Sequence, residues 1–173
     1  MMFKIRNKVK KIFVAVTVLA VLLTCASCGN AHPAQPAKRE AVKYFEYIKN
    51  KDTKKLNSLF SKEVRDTHDL DKEWEEFYAA IDGNIVSYER IRSGGEEVWT
   101  DKGRVTYSVV SIGIDNVVTD TGKTYESIGF FQVRVNKKHP ECVGINLFSL
   151  EISYDKETGH DERVVGENLN YRD

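Results

Sequence analysis

Val98–Val117 reads VWTDKGRVTYSVVSIGIDNV, and the order of its apolar residues decides the fold class. Val105, Tyr107 and Val109 take odd positions, after which Val110, Ile112 and Ile114 take even ones. Alternation of this kind is the pattern of a strand with a buried face. A change of phase in mid-run requires either a β-bulge or a sheet whose two ends bury opposite faces. Lys102-Gly103 is a turn pair that can break the run into two strands.

The same grammar extends on both sides. Ile85 to Arg92, Lys123 to Asn136 and Val143 to Tyr154 are rich in Val, Ile, Tyr, Phe and Thr. Ser93-Gly94-Gly95, Thr119-Asp120-Thr121-Gly122 and Asn136 to Glu141 read as turns between them. Turns this short join antiparallel neighbours, so the expectation is a meander. Val143, Ile145 and Leu147 give way to Phe148, Leu150 and Ile152, which repeats the change of phase, and Phe130 and Phe131 are adjacent.

Upstream the period becomes helical. Ala41, Tyr44, Phe45 and Ile48 predict an amphipathic helix from about Lys38 to Asn50. Asp52 or Thr53 can cap a shorter one carrying Leu56, Leu59 and Phe60. Asp69 or Asp71 can cap a third, in which Trp74, Phe77, Tyr78 and Ile81 follow i, i+3, i+4, i+7 and Gly83 stands at its end. Three helices followed by a curved antiparallel sheet describe an α+β cone, a shape that has a mouth.

The first 28 residues differ from all of this. Lys4, Arg6, Lys8, Lys10 and Lys11 form a basic head, and Ile12 to Leu23 is an unbroken apolar run. That is the layout of a secretory signal peptide. Twelve helical residues span about 18 Å, short of a hydrocarbon core of about 30 Å. The following Thr24-Cys25-Ala26-Ser27-Cys28-Gly29-Asn30 resembles the lipobox of bacterial lipoproteins, whose cysteine is lipidated and becomes the mature N-terminus. Cys28 fits that role better than Cys25, because Ala26 and Ser27 are small whereas Thr24 is bulkier and branched. The resemblance implies a bacterial protein on the extracytoplasmic face of the cell membrane, held there through its N-terminal acyl chains. On this reading residues 1–27 are a lipoprotein signal peptide and 28–37 a tether containing Gly29 to Ala37 (GNAHPAQPA). Residues 38–173 form a single domain.

Five of the 26 basic residues and none of the 26 acidic ones precede Cys28, so the chain from there on carries a net charge of −5. An acidic domain without a basic stripe argues against nucleic acid and against attachment to anionic headgroups. Only Cys142 remains beyond the leader, so an internal disulfide is excluded and packing must hold the domain together. Beside Val143, this cysteine reads as a small buried or half-buried hydrophobe, with a reactive nucleophile as the alternative.

Leu56-Asn57-Ser58-Leu59-Phe60-Ser61, Phe77 to Tyr88 (FYAAIDGNIVSY), Gly94-Gly95 and Thr119 to Tyr125 resemble a group of Gram-positive bacterial lipoproteins known only as a domain of unknown function. The helix-then-sheet order is similar to the nuclear transport factor 2-like, or cystatin-like, fold. That superfamily includes isomerases, dehydratases, ligand binders and interaction modules, so the resemblance implies a fold without choosing a function.

No catalytic motif is readable, and no cofactor or metal is implied. Asp66-Thr67-His68-Asp69-Leu70-Asp71 gathers ligand types, but its place before a helix makes it a capping segment. Asp155 to Glu162 (DKETGHDE) lacks calcium-loop spacing and reads as acidic chain around a solvated turn at Thr158-Gly159. Ser93 to Glu97 puts two carboxylates after its glycines and is no phosphate cradle. What remains is aromatic: Tyr44, Tyr47, Trp74, Tyr78, Trp99, Tyr107, Tyr125 and Phe131 fall on elements expected near the concave side, as core packing or as pocket lining. The expectation is therefore a lipid-anchored, non-catalytic binding or interaction module for an unknown protein or small molecule. The alternative is a small-ligand receptor or enzyme using the mouth of the cone.

Overall fold

The computed structural model describes residues 34–155 and 159–168, with side chains from Ala37 onward apart from those of residues 154, 155, 159 and 160. The leader, with Cys25 and Cys28, lies outside the described residues. Among the described residues, no helix is long and apolar enough to cross a membrane.

Four helices are described: α1 (Ala34–Lys49), α2 (Thr53–Asn57), α3 (Lys62–Thr67) and α4 (Leu70–Ala79). The expected count of three is corrected by α3, which Ser61 caps by accepting from the Val64 amide at 3.3 Å. Asp52 and Asp69 cap α2 and α4 in the same way. The first helix begins at Ala34, ahead of the expected Lys38, with Pro36 in its first turn. Proline is tolerated there because that amide has no partner inside the helix. The buried face of α1 is the expected one, Ala41, Tyr44, Phe45 and Ile48.

Six strands follow: β1 (Ile85–Ser87), β2 (Arg90–Asp101), β3 (Arg104–Thr119), β4 (Thr124–Asn136), β5 (Gly144–Asp155) and β6 (Gly159–Val165). They form one open antiparallel sheet ordered β1-β3-β4-β5-β6, in which β2 also pairs with β3. The class is therefore α+β, with the meander topology that the turns implied. Between β2 and β3, Lys102 and Gly103 have φ of 48° and 75°, the doubly left-handed pair of a two-residue hairpin turn. Ser93-Gly94-Gly95, expected as a turn, instead lies inside β2. There the register jumps from Ser93 opposite Ile112 to Gly95 opposite Ser111, leaving Gly94 as an extra residue. A glycine pair suits a bulge as well as it suits a turn, and the continuous partner strand decides between them. The strand β6, not expected from the sequence, begins at Gly159, beside the expected turn at Thr158-Gly159, and runs through the end of the acidic segment in antiparallel pairing with β5.

The two phase changes have different causes. In β3, Val110, Ile112 and Ile114 join the main core, whereas Tyr107 and Val109 join a second cluster with Val133 and Cys142. The run therefore buries one face after the other. In β5 the switch is a bulge: Leu147 faces Phe131, Ile145 faces Gln132, and Asn146 is the extra residue. Its side chain is fully buried and turned to hydrogen bonds. Nδ2 donates to the carbonyls of Cys142 and Gly144 at 2.8 and 3.1 Å, and Oδ1 accepts from the Ser61 hydroxyl at 3.0 Å. The chain comes close at this point, since Phe60 bridges to Ile145 and a Cβ on Gly144 would stand 2.7 Å from the Ser61 nitrogen.

The main core lies between the helices and the sheet. Trp74, Phe77, Phe60, Phe130, Phe148 and Tyr125 are its largest members and are almost fully buried. Trp74 sits 5.1 Å from Phe77 and 5.5 Å from Phe148, and Phe148 is 5.6 Å from Phe60. Burial of each such ring contributes about 2–3 kcal/mol, which is how a domain without a disulfide holds together.

Candidate functional site

The eight aromatics expected near the concave side divide into two groups. Trp74, Tyr44 and Tyr125 are buried in the main core, and Tyr47 and Tyr78 pack against it. Tyr107 and Phe131 belong to the second cluster, on the opposite side of the sheet, and Trp99 lies over Tyr107 with ring centroids 4.7 Å apart. One concave lining of all eight is therefore not what the structure contains. Register explains it: Trp99 pairs with Tyr107, and both alternate with residues that face the helices.

In the core group the polar tips are turned to the protein. The Trp74 indole donates to Asn57 Oδ1 at 2.9 Å, and the Tyr78 hydroxyl donates to the Ile48 carbonyl at 3.1 Å. The Tyr125 hydroxyl donates to the Ala80 carbonyl at 3.1 Å and accepts from the Asp82 amide at 2.6 Å. Burial, then Glu40, pushes the Tyr44 phenol up to about 12, and burial raises Tyr78 further still. A proton-transfer residue works best with a pKa near the operating pH, and these two shift the other way. Outside the core, a groove of about 610 Å³ runs between the start of α2 and α4, floored by Trp74 and Tyr78 and edged by Lys51, Thr53, Asp71 and Glu75.

The acidic segment before α4 is dispersed. Asp66 pairs with Lys62, Asp69 caps the helix, Asp71 accepts from Asn57 at 2.9 Å, and His68 Nδ1 meets Glu73 Oε1 at 2.8 Å. Among the described residues one group of metal-competent side chains converges: Glu63, Glu141 and Cys142, with ligand atoms within 4.8 Å of one another. The Cys142 thiol donates to Glu63 Oε2 at 2.9 Å, and burial, then that carboxylate, pushes its pKa up to about 12. Metal ligation and nucleophilic attack both need the thiolate, so this arrangement holds the sulfur in its inert form. Sequence reasoning missed Glu63 because it lies 79 residues away.

The remaining surface is the sheet side that carries the second cluster. Tyr107, Val109, Val133, Cys142 and Phe131 come from strands and the 3-10 turn Pro140–Cys142, without an α-helical residue among them. Trp99 is 46% exposed at the border of this strip, while its neighbour Val98, and Val105 opposite Thr100, turn to the other side. A groove of about 270 Å³ adjoins it, lined by Gly94, Gly95, Glu97, Val109, Ser111 and Phe131. The bulge opens it: a Cβ on Gly94 would lie 2.6 Å from Ser111 Oγ. Further along the same side, Arg90 and Arg92 place Nε at 3.0 and 2.7 Å from the buried Asp115 carboxylate. The strip is thus apolar and aromatic at the hairpin, acidic beside the bulge and basic beyond it.

Such a surface can hold a flat or extended partner by aromatic stacking and apolar burial, with charge at both ends to set its direction. Residues 43–156 match the family described as Domain of unknown function (DUF5104). No curated protein matches the chain.

Proposed function

The chain belongs to that family of unknown function, and within it we propose a non-catalytic interaction module, carried on the extracytoplasmic face of a bacterial membrane as a lipoprotein. The observation that carries the reading is the contrast between the two aromatic groups. The core rings are packed against one another and buried, whereas Trp99, its indole donating to Glu97 Oε1 at 2.9 Å, keeps 46% exposure at the top of an apolar strip on the other side of the sheet. An exposed aromatic resting on a second ring is pre-organised, and rings of this kind supply much of the free energy at protein interfaces. The nuclear transport factor 2-like cone is part of the proposal. It is supported by helices gathered before a bulged antiparallel sheet and by a core lying between them. Anchoring rests on Lys4 to Leu23 followed by Cys28.

The test uses the full chain in its own membrane. A photoreactive phenylalanine analogue replacing Trp99 should give one defined cross-linked protein band, and the same analogue replacing exposed Lys72 on α4 should give none. Equal labelling from both positions would sink the interaction reading. Cys28→Ala should move the protein from the membrane to the soluble fraction. Unchanged fractionation, with Cys25 intact, would shift the anchor to Cys25 or to the apolar run.

The second reading, a small-ligand receptor or enzyme, is favoured by one feature, the 610 Å³ groove floored by Trp74 and Tyr78. A small molecule retained by the purified protein, and lost on Tyr78→Ala but not on Trp99→Ser, would select it.

A further inference from the structure

The strand β2 pairs with β3 on one side only, and no other described strand lies along its outer edge. Such an edge offers a row of backbone donors and acceptors that another strand can complete. Its sequence, Arg90-Ile91-Arg92-Ser93-Gly94-Gly95-Glu96-Glu97-Val98-Trp99, is basic before the glycines and acidic after them.

We propose that two copies of this chain pair edge to edge through β2, antiparallel, about a two-fold axis between Gly94 and Gly95. In that register Arg92 of each protomer faces Glu97 of the other, Ile91 faces Val98, and Arg90 faces Trp99. Opposite charges meet, two apolar side chains meet, and a guanidinium meets an indole, each pair occurring twice by symmetry. At the axis itself the glycines present no side chain, so the backbones approach freely.

The bulge makes this register available. In a regular strand, residues five apart point to opposite faces, so Arg92 and Glu97 could not meet across a two-fold perpendicular to the sheet. The extra residue Gly94 corrects the parity. Arg92 pairs with Gly113, over which its guanidinium lies, and Glu97 pairs with Val109, two positions on the same side of β3. Arg90 and Trp99 share that side through Asp115 and Tyr107. Ile91 and Val98 share the other. A slip to the register that sets Arg90 against Glu97 would put Ile91 opposite Glu96, and the apolar match would be lost. Both arginines remain half-exposed or more, at 66% and 50%, while giving Nε to Asp115. The inference goes beyond the interaction reading above, which concerns a face of the sheet and asks for no second copy.

Disulfide trapping tests it on the full chain in membranes. A Cβ on Gly95 meets nothing within 4 Å, so Gly95→Cys should fold. Across the axis its Cα would stand roughly 6 Å from its own copy, within disulfide reach. Mild oxidation should give a band at twice the protomer mass that the unsubstituted chain lacks. Lys102→Cys, which the register separates by roughly 50 Å, should give none. Glu97→Arg added to Gly95→Cys sets like charges face to face and should lower the cross-linked fraction about tenfold. A Gly95→Cys chain that takes a maleimide but does not cross-link overturns the proposal, as does equal cross-linking from Lys102→Cys. Should Gly95→Cys fail to accumulate, exposed Ser93→Cys takes its place with a bismaleimide of roughly 11 Å reach, judged by the same outcomes.

Discussion

Replacing Asn146 by Ala is the most informative single perturbation of the fold. The side chain makes two hydrogen bonds to backbone carbonyls and accepts a third from Ser61, in a site with no solvent exposure. Each bond contributes about 0.5–1.5 kcal/mol net, and a buried carbonyl left without a partner costs more. The expected loss is about 3 kcal/mol, which for a domain of this size lowers Tm by roughly 10 °C. Ser61→Ala removes one of these bonds together with the cap of α3, and should cost about 1–2 kcal/mol. Because the two changes share a bond, the double variant should lose less than their sum. Urea unfolding followed by tryptophan fluorescence reads all three, with unchanged slope as the check on two-state behaviour. A loss below about 1 kcal/mol for Asn146→Ala would refute the argument that this side chain holds the β5 bulge against the chain before α3.

Two further outcomes are expected. Lys102→Asn places the residue preferred for a left-handed position before Gly103, and should stabilise the β2–β3 hairpin by about 0.5 kcal/mol, measured as a higher urea midpoint; a lower midpoint would mean the turn is of another type. The Cys142 thiol, raised from its ordinary value of 9 to about 12, binds its proton more tightly folded than unfolded. Its contribution to stability is therefore complete below pH 9 and is lost as pH rises toward 12. Alkylation of the native domain at pH 8 should be far slower than in urea, and Cys142→Ala should flatten the decline between pH 9 and 12; rapid native alkylation would contradict the buried thiol.

Much of the fold is written locally. The face of α1, the caps Asp52 and Asp69, the turn at Lys102-Gly103 and the change of phase in β3 are all visible as spacing, because they depend on residues within a few positions of one another. The short α3 was not visible. It carries one buried apolar residue, Val64, too little for a period, and its cap Ser61 is held from β5. The strand β6 was missed for a similar reason, since its charged residues lie on a chain whose extended form is imposed by pairing with β5.

The candidate surface shows the division most clearly. From the sequence alone came the class, the aromatic inventory and the acidic balance, together with the expectation of a lipid anchor at Cys28, all properties of composition and short-range pattern. Which aromatics share a side came only with the tertiary structure. Register turns Tyr107, Phe131 and Trp99 away from the side on which Trp74 and Tyr125 are buried, and it makes a bulge of a glycine pair that read as a turn. Pairing between strands is a long-range property: a shift of one residue exchanges the two faces, and no local signal records which face the helices will cover.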